Sequence, residues 1–225
     1  TYSELQDSVA RLAAALRQIG VAGDDRVAAY MPNLPETVIA MLATTSIGAA
    51  WASCGTELGP TPVLDRFGQI EPKVLFTVDG YPYKGKSFDI LSNVGKIADG
   101  IPSLKKVVVV PYANEAPDVH SIRNCELLDE FAACSNDTSR VGFEQLPFDH
   151  PGYVMFSSGT TGKPKCMVQS AGGVFINHLK ELMLHTDLKR DDRIFYITTP
   201  SWMMWNWLIS SLAVGATIVL YDGNL

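Results

Sequence analysis

The strongest constraint on the fold is an alternation of two periods along the chain. Leu5, Val9, Leu12, Leu16 and Ile19 recur at helical spacing, and Gly20 closes that helix. Ser3 with Gln6 reads as its capping box. Arg26–Met31 then reads as a strand stopped by Pro32, and Pro35 opens a second helix to about Ile47. Ala50–Ser53, Val74–Val78 and Lys105–Val110 read as further strands, with helices over Thr61–Ile70 and Phe88–Ile101. Strands that alternate with helices predict parallel pairing through crossover helices. The predicted fold class is therefore α/β, with mainly parallel sheets and flanking helices.

Further along, Pro111–Asn124 is polar and reads as loop, and Glu126–Cys134 as a short helix. The stretch 135–151 is polar, holds two prolines, and is the candidate subdomain junction. Beyond it the pattern predicts a helix over Gly173–Thr186, a strand over Arg193–Thr198, a helix over Met203–Val214 and a strand over Thr217–Leu220. Two uncharged runs, Thr37–Thr56 and Pro200–Tyr221, have the length of a membrane span. Each breaks at a Gly-Ala pair, 48–49 and 215–216, so each reads as a buried helix followed by a buried strand. The first residues show no basic start and apolar core of a signal peptide. A soluble, cytosolic protein is expected.

Composition narrows the function classes. Apolar residues make up 47% of the 225, which excludes a disordered chain. The net charge is −6 with no basic run, which argues against a nucleic-acid surface. Cys54, Cys125, Cys134 and Cys166 are scattered without a C-x-x-C pair, so they read as buried free thiols in a reducing compartment. The four histidines also lack ligand spacing, and no metal site is expected. His178 and His185 are predicted on a partly exposed helix face.

The stretch FSSGTTGKPKCM, Phe156 to Met167, carries the chemistry. A Walker-type loop would need glycine at Ser157 and a hydroxyl at Pro164, so two of its four fixed positions fail. The flanks, Tyr153–Phe156 and Cys166–Val168, read as strand, loop, strand, with no helix start at the loop. Gly159 and Gly162 permit close backbone approach. Ser157, Ser158, Thr160 and Thr161 offer hydroxyls, Lys163 and Lys165 offer charge, and successive N–H groups can form an anion nest. A plain hairpin turn with solvated lysines would need fewer of these groups. Phosphate binding is the stronger reading.

The residues SSGTTGKPK, from Ser157 to Lys165, match at every position the phosphate-loop signature of the adenylate-forming superfamily, to which acyl-CoA synthetases, luciferases and adenylation domains belong. The opening TYSEL and the stretch MLATTSIGAAWASC resemble two earlier motifs of that family, and the resemblance spans essentially the whole chain. VLDRFGQIEPKVLF, PKCMVQSAGG and WMMWNW resemble its acetoacetate-activating branch, in which Cys166 replaces the usual glycine. Gln169 and Ser201 depart from the histidine and glycine expected there. Three of the four tryptophans fall within Trp202–Trp207. By themselves they fit an aromatic core helix as well as a pocket wall.

The resemblance implies an acid–thiol ligase acting in two steps through an acyl-adenylate, with ATP, Mg²⁺ and coenzyme A, and acetoacetate as the acid. It implies phosphate contacts from Ser157, Ser158, Gly159, Thr160, Thr161, Gly162, Lys163 and Lys165, with Lys163 and Thr161 the catalytic pair. It implies an acid pocket bordered by Trp202, Trp205 and Asn206. It also implies that residues 1–225 form part of an N-terminal AMP-binding domain, whose ribose-binding, hinge and C-terminal elements lie outside this sequence. Two other readings stay open: a ligase for acetate or another short acid, and a nucleotide-binding module without catalysis.

Overall fold

The computed structural model describes residues 1–133, 142–157 and 162–223. The first helix, α1 (Tyr2–Gln18), is capped by Thr1, whose side chain accepts from the Glu4 backbone N–H while the Glu4 carboxylate reaches back to the cap. Two pairs here have capping-box spacing, and the helix uses the earlier one rather than Ser3 with Gln6. Gly20 follows with φ of +78°, a conformation that suits glycine, and the chain turns into β1 (Arg26–Tyr30). Then come α2 (Pro35–Ser46), β2 (Ala50–Cys54), α3 (Pro60–Phe67) and β3 (Val74–Val78). These match the predicted alternation closely.

The next segment corrects the prediction. Phe88 does not start a helix. It lies in a hairpin of β4 (Gly80–Tyr83) and β5 (Lys86–Asp89), where its ring stacks on Tyr81 with centroids 5.5 Å apart. The helix α4 (Leu91–Gly100) begins after Asp89, whose carboxylate accepts the Leu91 N–H at 2.8 Å. After β6 (Lys106–Val110), Glu126 likewise belongs to a strand, β7 (Cys125–Leu127), and only Leu128–Ala133 forms helix α5. Lys106 on β6 meets Glu126 at 3.0 Å. That cross-strand pair is the signal that a helix reading of Glu126 overlooks. Cys134 and residues 135–141 of the predicted junction lie outside the described residues.

The phosphate-loop flanks form the expected hairpin: β8 (Pro151–Ser157) pairs antiparallel with β9 (Lys165–Ser170). Then α6 (Ala171–Lys180) runs into a π-helical turn, Glu181–His185. The strand predicted over Arg193–Thr198 stops at Phe195, giving β10 (Arg193–Phe195). It is followed by α7 (Met203–Ser210), a 3₁₀ turn (Ser211–Val214) and β11 (Thr217–Val219). The last strand is not buried as predicted. It pairs with β10 in a separate two-stranded parallel sheet, and Val219 is 42% exposed.

The main sheet has seven strands in the order β7-β6-β3-β1-β2-β8-β9, parallel except for β8 with β9. Its centre reads as continuous apolar runs because helices cover both faces. Val27, Ala28 and Ala29 of β1 and Val107, Val108 and Val109 of β6 are fully buried. On the helical layers, α1 packs against α2 and α5, and α3 against α4. From β1 the chain crosses to β2 on one side, and from β2 it returns over β1 to β3 on the other. The loops after β1 and β2 therefore diverge and open a crevice at the carboxyl edge, the usual ligand position in such sheets. No helix among the described residues is long and apolar enough to cross a membrane.

Candidate functional site

The crevice is built from backbone ends held by buried side chains. The Tyr30 hydroxyl at the end of β1 donates to the carbonyls of Leu58 at 2.6 Å and Thr56 at 3.2 Å, which fixes the loop after β2. Desolvation pushes that phenol well above its ordinary value, so it stays a donor. At the end of β3, the buried Asp79 carboxylate accepts the backbone N–H groups of Tyr112, Ala113 and Asn114 at 2.6–2.9 Å. Tyr112 is thereby placed to donate to Asp222 at 3.1 Å. Burial raises the Asp222 carboxyl above the usual range, and the tyrosine bond partly offsets it.

Two clefts share a wall in this region. One of about 210 Å³ lies between Asn33, Glu57, Thr199 and Asp222. The other, of about 310 Å³, lies between Cys54, Arg66, Phe156 and Ser201. Glu57 and Trp202 line both. Trp202 is 63% exposed, so its ring stands between the clefts rather than in the core. Glu57 accepts from the Thr199 and Ser201 hydroxyls at 3.3 and 3.2 Å. The Ser201 oxygen in turn accepts the Gly55 N–H at 2.6 Å. A glycine at 201 could make neither side-chain bond, so the Ser201 hydroxyl ties the segment before α7 to the loop after β2.

The phosphate-loop residues divide. Ser158, Gly159, Thr160 and Thr161 lie outside the described residues. Ser157 ends β8, while Gly162, Lys163 and Lys165 are exposed on the return of the hairpin. Gln69, just beyond α3, donates to the Pro164 carbonyl at 2.9 Å and anchors that return. Lys163 Nζ sits 3.6 Å from Asp65 on α3, with its side chain 74% exposed. An ion pair so open to water contributes little, so the lysine is free to meet an anion. Phe67 packs on Phe156 with ring centroids 6.2 Å apart, which aligns α3 under the strand that feeds the loop.

The predicted acid-pocket residues also divide. Trp202 faces the clefts. Trp205 is fully buried and donates its indole N–H to Asn33 Oδ1 at 2.8 Å. Asn206 is 3% exposed and donates from Nδ2 to the Met155 sulfur at 3.3 Å. Both point inward, toward β1 and β8. Sequence reading missed Glu57, Asn33, Asp65 and Gln69. Each is a lone polar residue in a loop or helix, with no spacing that marks it.

His178 is buried, not partly exposed as predicted, because α6 packs against α7. Ser210 donates to the Asn206 carbonyl at 3.0 Å, and His178 Nδ1 shares a hydrogen bond of 2.8 Å with Ser210 Oγ. Cys54 is buried and its thiol is pushed up to about 12, while Cys125 and Cys166 are half-buried; all three are free thiols. Among the described residues no group of three or more His, Cys, Asp or Glu could hold a metal ion.

The model of the AMP-binding enzyme family matches residues 1–225. Acetoacetyl-CoA synthetase of Gallus gallus is 50% identical over 228 residues, covering all of this chain and 34% of the relative. Acetoacetyl-coenzyme A synthetase of Rhizobium meliloti is 50% identical over 225 residues with the same coverage. Malonamoyl-CoA synthetase of Penicillium aethiopicum is 39% identical, over all of this chain and 32% of the relative. The solved structure of acetoacetyl-CoA synthetase from Streptomyces lividans superposes with a TM-score of 0.92 at 48% identity, over 99% of this chain and 33% of that one. The chain thus spans about a third of the length of the relatives it matches.

Proposed function

The chain belongs to the AMP-binding enzyme family, and we propose that a protein containing it is a cytosolic ATP-dependent acid–thiol ligase that makes acetoacetyl-CoA. The observation that carries this reading is the 50% identity to acetoacetyl-CoA synthetases across all 225 residues. The acetoacetate carboxylate attacks the α-phosphate of MgATP, the bond to the bridging oxygen breaks, and pyrophosphate leaves. The coenzyme A thiol then displaces AMP from the acyl-adenylate and loses its proton.

The residues present suit the first step. Pyrophosphate gains negative charge as it leaves, and donors already in place stabilise that charge without reorganising. Lys163 and Lys165 on the hairpin return, with Ser157 through Gly162 before them, are assigned to the phosphates. Lys163 and Thr161 are assigned to the leaving group. Mg²⁺ arrives with the nucleotide. The acid lies against Trp202, and Trp205 and Asn206 form the support behind it. In this reading the buried pair shapes the pocket by packing, because Trp205 already donates its N–H to Asn33.

The 39% identity to a malonamoyl-CoA synthetase favours a second reading, a ligase for another short acid with a polar group beyond the carboxylate. Acetoacetate-dependent exchange between ATP and labelled pyrophosphate, measured without coenzyme A on the ligase that contains this chain, tests the proposal. Exchange with acetoacetate supports it. Exchange with malonamate alone favours the second reading, and none with any short acid leaves a nucleotide-binding module.

A further inference from the structure

Two buried polar atoms on facing elements have no partner among the described residues: Trp51 Nε1 on β2 and Asn206 Oδ1 on α7. One is a donor only and the other an acceptor only. The amide orientation follows from its neighbour, since the Met155 thioether offers no proton and draws Nδ2 toward itself. Trp51 is 1% exposed and Asn206 3%, so bulk water reaches neither atom. Leaving either unpaired is costly in a core.

Both side chains line the same small cavity, of about 10 Å³, bounded also by Ser53, Met155 and Ser201. That volume is about the least that holds one water molecule. It is far too small for a carboxylic acid. Ser53 Oγ donates to the Pro200 carbonyl at 2.6 Å, which leaves its lone pairs to accept. The residues around the cavity therefore include one unpartnered donor and two acceptors, a number within the two to four polar partners that an internal water needs.

We propose that this cavity is a binding site for one internal water, which accepts from Trp51 Nε1 and donates to Asn206 Oδ1 and Ser53 Oγ. Its walls are β2, the strand that feeds the phosphate loop, and the start of α7. The water thus joins the element assigned to phosphate and the one assigned to the acid, and Trp51 is a positioning residue that acts through it. Only this last role rests on the proposed function. The water site stands on burial, volume and donor chemistry.

A crystal structure of the ligase containing this chain tests the site directly. The expected result is density for a water within about 3 Å of Trp51 Nε1 and Asn206 Oδ1. Direct contact between the two side chains, or a third side chain in the cavity, would overturn it. A double-mutant cycle gives a second reading through thermal unfolding. Trp51→Phe and Asn206→Leu each lower the melting temperature. The double variant is expected to lie no lower than the worse single one, because with Trp51 and Asn206 both replaced no buried donor is left unpaired and the Ser53 hydroxyl keeps its bond to Pro200. Additive losses would contradict a shared water. For the positioning role, Trp51→Phe is expected to raise KM for the acid at least about fivefold, a small part of what lost positioning can cost, with KM for ATP within about twofold. Equal changes in both constants would reduce Trp51 to a structural residue while leaving the density result intact.

Discussion

Trp205 donates its indole N–H to Asn33 Oδ1 at 2.8 Å, and both residues are buried. The bond joins α7 to the loop that leaves β1, across 172 positions of sequence. Asn33 also donates to the Tyr221 carbonyl at 3.2 Å, so one amide holds both the start of α7 and the chain after β11. Trp205 is thus a buried tie between α7 and the loop after β1.

Replacing Trp205 by phenylalanine keeps most of the ring volume and removes the donor. Asn33 Oδ1 is then left buried and unpaired, a loss of about 1–3 kcal/mol. Chemical denaturation of the ligase containing this chain is expected to show a lower midpoint for Trp205→Phe. An unchanged midpoint would mean that the bond contributes nothing to stability.

Lys163→Ala is expected to slow adenylate formation by about 10²–10³, the usual cost of losing one preorganised donor to developing charge. Thioester formation from preformed acetoacetyl-adenylate should change little, since pyrophosphate has left by then. Single-turnover kinetics on the two steps separates them. A selective loss in the coenzyme A step would reassign the lysine.

His178 supplies a pH dependence of defined sign. Burial holds its pKa below the ordinary value, with Glu181 opposing more weakly. The unfolded chain therefore takes up a proton that the folded one resists. The histidine's contribution is constant above about pH 6.5 and is lost as pH falls, by up to about 1.4 kcal/mol per pH unit, until the depressed value is reached. His178→Asn can keep a hydrogen bond to Ser210, as donor or acceptor, without the titration. Its melting temperature should fall less between pH 7 and 5.5 than that of the unmutated protein. Parallel profiles would show that His178 does not titrate in this range.

The alternation was legible because its signals are local. The period of Leu5 to Ile19, the stop at Pro32 and the valines of β6 each act within a few residues. The hairpin of β8 and β9 was legible too, since short apolar runs flank the loop on both sides and Pro164 offers no backbone donor at the turn. The errors arose where tertiary pairing decided the outcome. Glu126 joins β7 because Val108 and Lys106 lie beside it, and Phe88 joins β5 because Tyr81 does. Lys163 on the hairpin return and Trp202 between the clefts both stand exposed. The inward turn of Trp205 and Asn206 could not be read from WMMWNW, because a helix of aromatic residues does not declare which side meets the sheet. Glu57 was invisible for another reason: it gains meaning only from Thr199 and Ser201, more than 140 positions away.

The 225 residues by themselves are expected to give no measurable turnover with acetoacetate, ATP and coenzyme A, because their relatives are about three times as long. A pyrophosphate-release assay checks this. Turnover on the order of 1 s⁻¹, ordinary for an enzyme, would contradict it.

The central claim is that the acid is acetoacetate, and its most direct test compares two acids of equal chain length. Butyrate lacks only the ketone. A site with a donor for that oxygen rejects the analogue strongly, because the donor is left unpaired. For the ligase containing this chain, kcat/KM is predicted to favour acetoacetate over butyrate by at least about 10²-fold. Equal values for the two acids would contradict the acetoacetate assignment and leave only the adenylate-forming family standing.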